Sequence, residues 1–121
     1  MKMDISNKED IELVMVKFYE QVKADPVIGF FFSEVVHVNW PYHMQKMCAF
    51  WENALFFTGE YEGNPIATHR YLNRLHTTTP AHFAQWMKLF EAAVDGLFAG
   101  PHADKMKQRS KAIAAVMMEK I

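Results

Sequence analysis

Four helix-start signals, spread along the chain, constrain the possible fold of this sequence more than any other feature. Each combines a capping residue with an acidic residue three positions later or with a proline in the first helical turn. They are Ser6 with Glu9, Asn39 with Pro41, Asn64 with Pro65, and Thr79 with Pro80. Apolar residues at helical spacing follow them, and no stretch shows the alternation of a half-buried strand. The sequence therefore predicts one all-α domain over residues 1–121.

The expected order is a long helix that ends at Asp25-Pro26, one helical turn over residues 27–32, and a loop to Asn39. A second long helix runs from Asn39 to Gly59. A short helix over about residues 65–72 carries His69, and a third long helix starts at Thr79. Gly100-Pro101 breaks this helix before a last one. A short helix between long ones can place a single ligand accurately, although an incidental surface helix has the same pattern.

Composition excludes several classes of protein. The formal net charge is −1 and the basic residues are scattered, so no nucleic-acid partner is expected. No apolar run is long enough for a membrane span, and acidic residues near the N-terminus argue against a signal peptide. Cys48 is the single cysteine, which leaves no C-x-x-C-H motif for covalent haem attachment. A reducing, cytoplasmic location is predicted.

Six histidines are the main candidates for chemistry. His37, His76 and His102 fall in loops or at a helix start and are expected to be solvated. His82 lies one turn before Trp86 and is expected to form local or capping hydrogen bonds. No pair has zinc-ligand or di-iron spacing. His43, on an apolar helical stripe, and the isolated His69 suit a haem, but by spacing alone ordinary core histidines are the more frequent explanation.

Four motifs in order carry a family resemblance. They are FYEQVKADP, then WPYHMQKMCAFWENALFFTGEYEGNP, then His69 four residues further on, and finally AHFAQWMKLF. The chain resembles group III truncated haemoglobins over about residues 11–118. The resemblance implies a two-over-two helical sandwich around a non-covalent haem b.

The resemblance also implies roles for individual residues. His69 matches the proximal ligand of the haem iron. Tyr19, His43 and Trp86 match the distal residues that face a bound ligand, and in this group the histidine is associated with gating access. Further haem contacts are expected from Phe32, Met47, Trp51, Leu72 and Phe90.

Three functions remain open at this stage. The first is reversible binding of O2, CO or NO at a five-coordinate haem iron with a polar distal pocket, which includes oxygen transport or buffering. The second is a haem enzyme, a NO dioxygenase or a peroxidase-like detoxifier, supplied by an external reductase. The third is a haem-free helical interaction module. A monomer or weak dimer is expected.

Overall fold

The computed structural model describes residues 2–35, 38–57 and 78–120, with side chains up to residue 116. Its α-helices are α1 (Lys8–Ala24), α2 (Trp40–Phe56), α3 (Pro80–Leu97) and α4 (Pro101–Lys120), and a π-helical turn spans Phe31–Val35. Every regular element in these ranges is helical, which confirms the all-α prediction. The predicted short helix over residues 65–72 lies outside the described residues. None of the described helices is long and apolar enough to cross a membrane.

The start of α1 differs from the prediction by one residue. The N-cap is Asn7, whose side chain accepts a hydrogen bond from the backbone N–H of Asp10 at 2.9 Å. Asp10 in turn accepts hydrogen bonds from the backbone N–H and the hydroxyl of Ser6 at 2.9 and 3.0 Å. The predicted pair of Ser6 and Glu9 is therefore wrong, because Asn7 is an equally good cap and Asp10 is in reach of Ser6.

The starts of α2 and α3 follow the prediction. The Asn39 side chain accepts a hydrogen bond from the backbone N–H of Tyr42 at 3.2 Å. Thr79 and His82 form a reciprocal capping box: the Thr79 hydroxyl accepts from the His82 backbone, and His82 Nδ1 accepts from the Thr79 backbone. This confirms the local capping role expected of His82. At its other end α2 stops at Phe56, because Phe57 takes a left-handed conformation (φ 59°), and Gly59 lies outside the described residues.

Helix α1 is the centre of the core, because it packs against both α2 and α3, and α3 packs against α4. Its buried face consists of Ile11, Val14, Met15, Phe18, Tyr19 and Val22. Residues at three- and four-residue spacing form such a stripe on a helix. Tyr19 is the member of this stripe with a polar group, so the hydroxyl is brought into the core and needs a partner there.

The end of α1 is tied to α3 through Asp25. One carboxylate oxygen accepts hydrogen bonds from the backbone N–H groups of Val27 and Ile28 at 2.8 and 3.0 Å, and the other accepts from the Gln85 amide at 2.6 Å. Burial acts to raise the pKa of Asp25, but the hydrogen bonds from Gln85 and the backbone lower it overall. Gly29 is required beside this turn, since a Cβ there would lie 2.6 Å from the Asp25 carbonyl oxygen.

The segment before α1 closes over the start of α4. Asp4 accepts hydrogen bonds from the backbone N–H groups of His102 and Ala103 at 3.0 and 2.9 Å, so it caps α4 from a distant part of the chain. His102 Nδ1 lies 2.7 Å from the carbonyl oxygen of Ile5, which is itself fully buried. The His102 side chain is 40% exposed, as expected of a solvated histidine, but its imidazole also contacts this segment.

Candidate functional site

A partly buried hydrogen bond joins α1 to the first turn of α2. The hydroxyl oxygen of Tyr19 and Nε2 of His43 are 2.7 Å apart, and their rings meet edge to face at 5.0 Å. Tyr19 is 3% exposed and His43 is half-buried. Because Asn39 fixes the start of α2, His43 is placed at a defined height opposite Tyr19.

Both partners are neutral near neutral pH. Burial, with a smaller contribution from the negative charge of the Cys48 thiolate, raises the pKa of Tyr19 far above its usual value, so the phenol keeps its proton. Burial lowers the pKa of His43, which favours the neutral imidazole. Two arrangements satisfy the hydrogen bond. Either Tyr19 donates to an unprotonated Nε2, or Nε2–H of His43 donates to Tyr19 and leaves the phenol proton available to a third group.

Trp86 of α3 also contacts Tyr19. Its ring meets the Tyr19 ring edge to face at 6.3 Å and the Phe18 ring at 4.9 Å. The hydrogen bond between Gln85 and Asp25 holds this part of α3 against the end of α1. The structure therefore brings the three predicted distal residues, Tyr19, His43 and Trp86, into one cluster.

The surroundings of this cluster are apolar, and several of its neighbours are only half-buried. Phe32 contacts Tyr19 at a ring distance of 6.0 Å, and Met47 of α2 packs against the core. Half-buried flat or flexible side chains suit a planar hydrocarbon ligand, because they can adapt to its face. A neutral phenol and imidazole next to such surfaces also suit a small, weakly dipolar ligand. The chemistry of these side chains is compatible with one face of a haem.

Trp51 and Phe90 are placed in the core between α2 and α3. Their rings stack at 5.4 Å with an angle of 29° between planes, and they are 5% and 2% exposed. Their predicted contact with haem stays a prediction. His69 and Leu72, the predicted proximal ligand and a further haem contact, lie outside the described residues.

Trp40 and Lys23 are site neighbours that the sequence prediction left out. The Trp40 ring contacts Tyr19 at 5.4 Å, His43 at 5.8 Å and Phe32 at 5.5 Å, and the Lys23 ammonium lies 3.9 Å from its centroid. Helical spacing carries the signal: Lys23 follows Tyr19 by four residues, and Trp40 precedes His43 by three, so each is on the same helix face as its neighbour.

Comparisons with known proteins agree with this geometry. The chain is 30% identical over 119 residues to the group 3 truncated hemoglobin ctb of Campylobacter jejuni, a match that covers 95% of this chain and 91% of that protein. The crystal structure of the group III truncated hemoglobin from Campylobacter jejuni superposes with a TM-score of 0.83 at 29% identity. It covers 98% of this chain and 94% of the other. No protein-family profile matches the chain.

This similarity, over nearly the full length of both chains, confirms the truncated-globin fold with its two-over-two helical sandwich. The globin family implies that the chain binds haem. The chain belongs to the group III truncated haemoglobins.

Proposed function

We propose that this chain holds a non-covalent haem b through His69 and reversibly binds O2, CO or NO on the face lined by Tyr19, His43 and Trp86. The observation that carries the proposal is the partly buried 2.7 Å hydrogen bond between Tyr19 and His43 within an apolar cluster. A haem supplies four nitrogen ligands and, with one histidine, leaves the sixth iron position open to a diatomic gas.

The three distal side chains support ligand binding in different ways. The phenol of Tyr19 and the indole N–H of Trp86 are hydrogen-bond donors, and the half-buried His43 bonds to the first of them. In a pocket with little water, such donors stabilise a ligand that carries partial negative charge. Each hydrogen bond to the ligand contributes about 1 kcal/mol. Two donors would favour slow release, which suits sensing or chemistry better than oxygen delivery.

Absorption spectroscopy with added hemin tests this function. We expect a Soret band on stoichiometric addition, with ferric, ferrous and ferrous-CO spectra of a haem protein. His69→Ala should alter the band, because the proximal ligand is lost. His76→Ala is the matched control, since it removes another histidine outside the described residues without a proposed iron contact. A missing band in the wild type, or a band unaltered by His69→Ala, would disprove the axial-ligand assignment.

A second candidate is a haem enzyme of the NO dioxygenase or peroxidase-like class, working with an external reductase. The same hydrogen bond favours it, because a neutral imidazole bonded to a phenol can accept a proton from a reactant and return it. Steady NO consumption with a supplied reductant, or peroxide-driven oxidation of a dye, would support this activity. Turnover equal to that of free hemin would exclude it.

The cellular setting is also part of the proposal. We place the chain in the cytoplasm, since its single cysteine, Cys48, is free and buried. We expect a monomer or weak dimer, which sedimentation at micromolar concentration would test. A stable higher oligomer would overturn that expectation.

A further inference from the structure

Two residue pairs connect α1 and α2, one helical turn apart. The inner pair is the hydrogen bond between Tyr19 and His43. The outer pair is the Lys23 ammonium over the Trp40 ring, 3.9 Å from its centroid. Lys23 lies one turn after Tyr19 on α1, and Trp40 lies one turn before His43 on α2, so the two pairs follow from the helical repeat.

On α1 the outer residue lies nearer to solvent than the inner one, since Lys23 is exposed and Tyr19 is 3% exposed. On α2 both Trp40 and His43 are half-buried. The Trp40 ring stands edge to face against both inner rings, at 5.4 Å from Tyr19 and 5.8 Å from His43. Phe32 supports it from another side at 5.5 Å. The indole therefore limits rotation of the imidazole away from Tyr19.

We propose that Trp40, held in place by the Lys23 ammonium, is a positioning residue that keeps His43 bonded to Tyr19 and so restricts access of small ligands to the distal side. Its effect is exerted through His43 and needs no contact with the ligand. Lys23 contributes by attraction of its charge to the indole face, which is the strongest partner among aromatic rings for a cation. This inference rests on the proposed function, because that function supplies the small ligand. The position of His43 can nevertheless be measured in the absence of any ligand.

The rate of CO association to the ferrous holoprotein, measured by flash photolysis, tests the proposal. We expect Lys23→Met to raise the rate roughly threefold, as the loss of one cation–π contact would allow. Lys23→Arg should retain the slow rate, because it keeps a cation that also stacks on indole. Trp40→Leu should raise the rate at least as much, and adding Lys23→Met to it should have no further effect.

Lys105→Met is the matched control. The Lys105 ammonium lies 4.5 Å from the centroid of the Phe57 ring, which is 76% exposed, so this cation–π pair lies away from Tyr19 and His43. This variant should leave the rate unchanged. Circular dichroism and urea unfolding would show that each variant is folded. A rate unchanged in both Lys23→Met and Trp40→Leu, in folded proteins, would overturn the proposal.

A second readout separates this inference from the proposed function. Nitrogen-15 NMR of the full chain reports whether Nε2 of His43 is hydrogen-bonded, in the diamagnetic CO form or without haem. We expect the bonded signal in the wild type and its loss or averaging in Trp40→Leu. Failure to take up haem would refute the proposed function, whereas an unchanged His43 signal in Trp40→Leu would refute the positioning role of Trp40 alone.

Discussion

The Tyr19 hydroxyl oxygen lies 2.7 Å from Nε2 of His43, and the two residues come from different helices. The tautomer of the imidazole decides whether the phenol proton is used in this contact or stays available. When Nε2 carries the proton, Tyr19 accepts, and its own proton is free for a distal ligand. When Nε2 is unprotonated, Tyr19 donates to it and offers the ligand no proton. The position of one histidine proton thereby controls whether the phenol can donate a hydrogen bond to the ligand.

Tyr19→Phe tests the donor role of the phenol. The variant keeps the ring but removes the hydroxyl, so a hydrogen bond of about 1 kcal/mol is lost and O2 should dissociate roughly fivefold faster. Stopped-flow displacement of O2 by CO measures this rate. Tyr42→Phe, at a side chain that is 57% exposed, is the control and should not change it. Equal rates for wild type and Tyr19→Phe would mean that the phenol donates elsewhere.

Haem binding should raise the thermal stability of the chain. A ligand bound by the folded state alone stabilises it by mass action, by about 2.7 kcal/mol when its free concentration is one hundred times Kd. Differential scanning calorimetry with and without one equivalent of hemin measures the shift in Tm. The His69→Ala variant should show a smaller shift. Superimposable melting curves for the apo and holo wild type would contradict the prediction.

Asp4→Ala should destabilise the chain by about 1 kcal/mol, the usual effect of removing a helix cap. The reason is that the backbone N–H groups of His102 and Ala103 lose their acceptor. Urea unfolding at pH 7 measures the free energy. Asp104→Ala is the matched control, because Asp104 is an acidic residue in the same first turn with a 65% exposed side chain. A control as destabilised as Asp4→Ala would point to helix-dipole loss instead.

The Asp4 contribution should also depend on acidity in a defined direction. Burial acts to raise the pKa of Asp4, but the backbone hydrogen bonds from His102 and Ala103 lower it overall, below the ordinary 3.8. Because the folded chain holds this proton less tightly, the contribution is fully present above about pH 3.8. It is lost as pH falls through the lower folded pKa. The difference in unfolding free energy between wild type and Asp4→Asn should therefore shrink in acid; a constant difference would refute this.

The thiol of Cys48 should react slowly in the native chain. It is 3% exposed, and burial, assisted by Glu12, raises its pKa to about 11. The reactive thiolate is therefore scarce at pH 8. Reaction with a chromogenic disulfide reagent measures the rate, and the urea-unfolded chain serves as its control. Similar rates in both states would show that the thiol is accessible.

Local sequence signals were sufficient for the order of the four described α-helices. Asn39 and Thr79 cap helices where the sequence predicts, because a cap with a proline in the first turn depends on neighbouring residues alone. At Ser6 two adjacent residues could both cap, and the choice of Asn7 depends on the reach of Asp10. The partner of His102 was not predictable, since Ile5 and Asp4 approach it only after the chain has folded.

The candidate site could be predicted in part. Tyr19, His43 and Trp86 were identified by resemblance and lie together in the structure. Helical periodicity alone could not separate them from ordinary core residues, because an apolar stripe does not reveal which members face a ligand. The contact of Lys23 with Trp40 could not be predicted, because it depends on how far α1 and α2 are shifted along each other. Residue spacing within one helix does not contain that information.

The cap that Asp4 provides for α4 has a consequence for the order of folding. Asp4 and His102 are 98 residues apart in sequence, so their contact closes a loop that contains α1, α2 and α3. Closing so long a loop costs more entropy than forming any single helix turn, and this cost is offset only once the intervening helices have packed. We therefore expect the N-terminal segment to dock last. Weakening it should accelerate unfolding and leave the folding rate nearly unchanged.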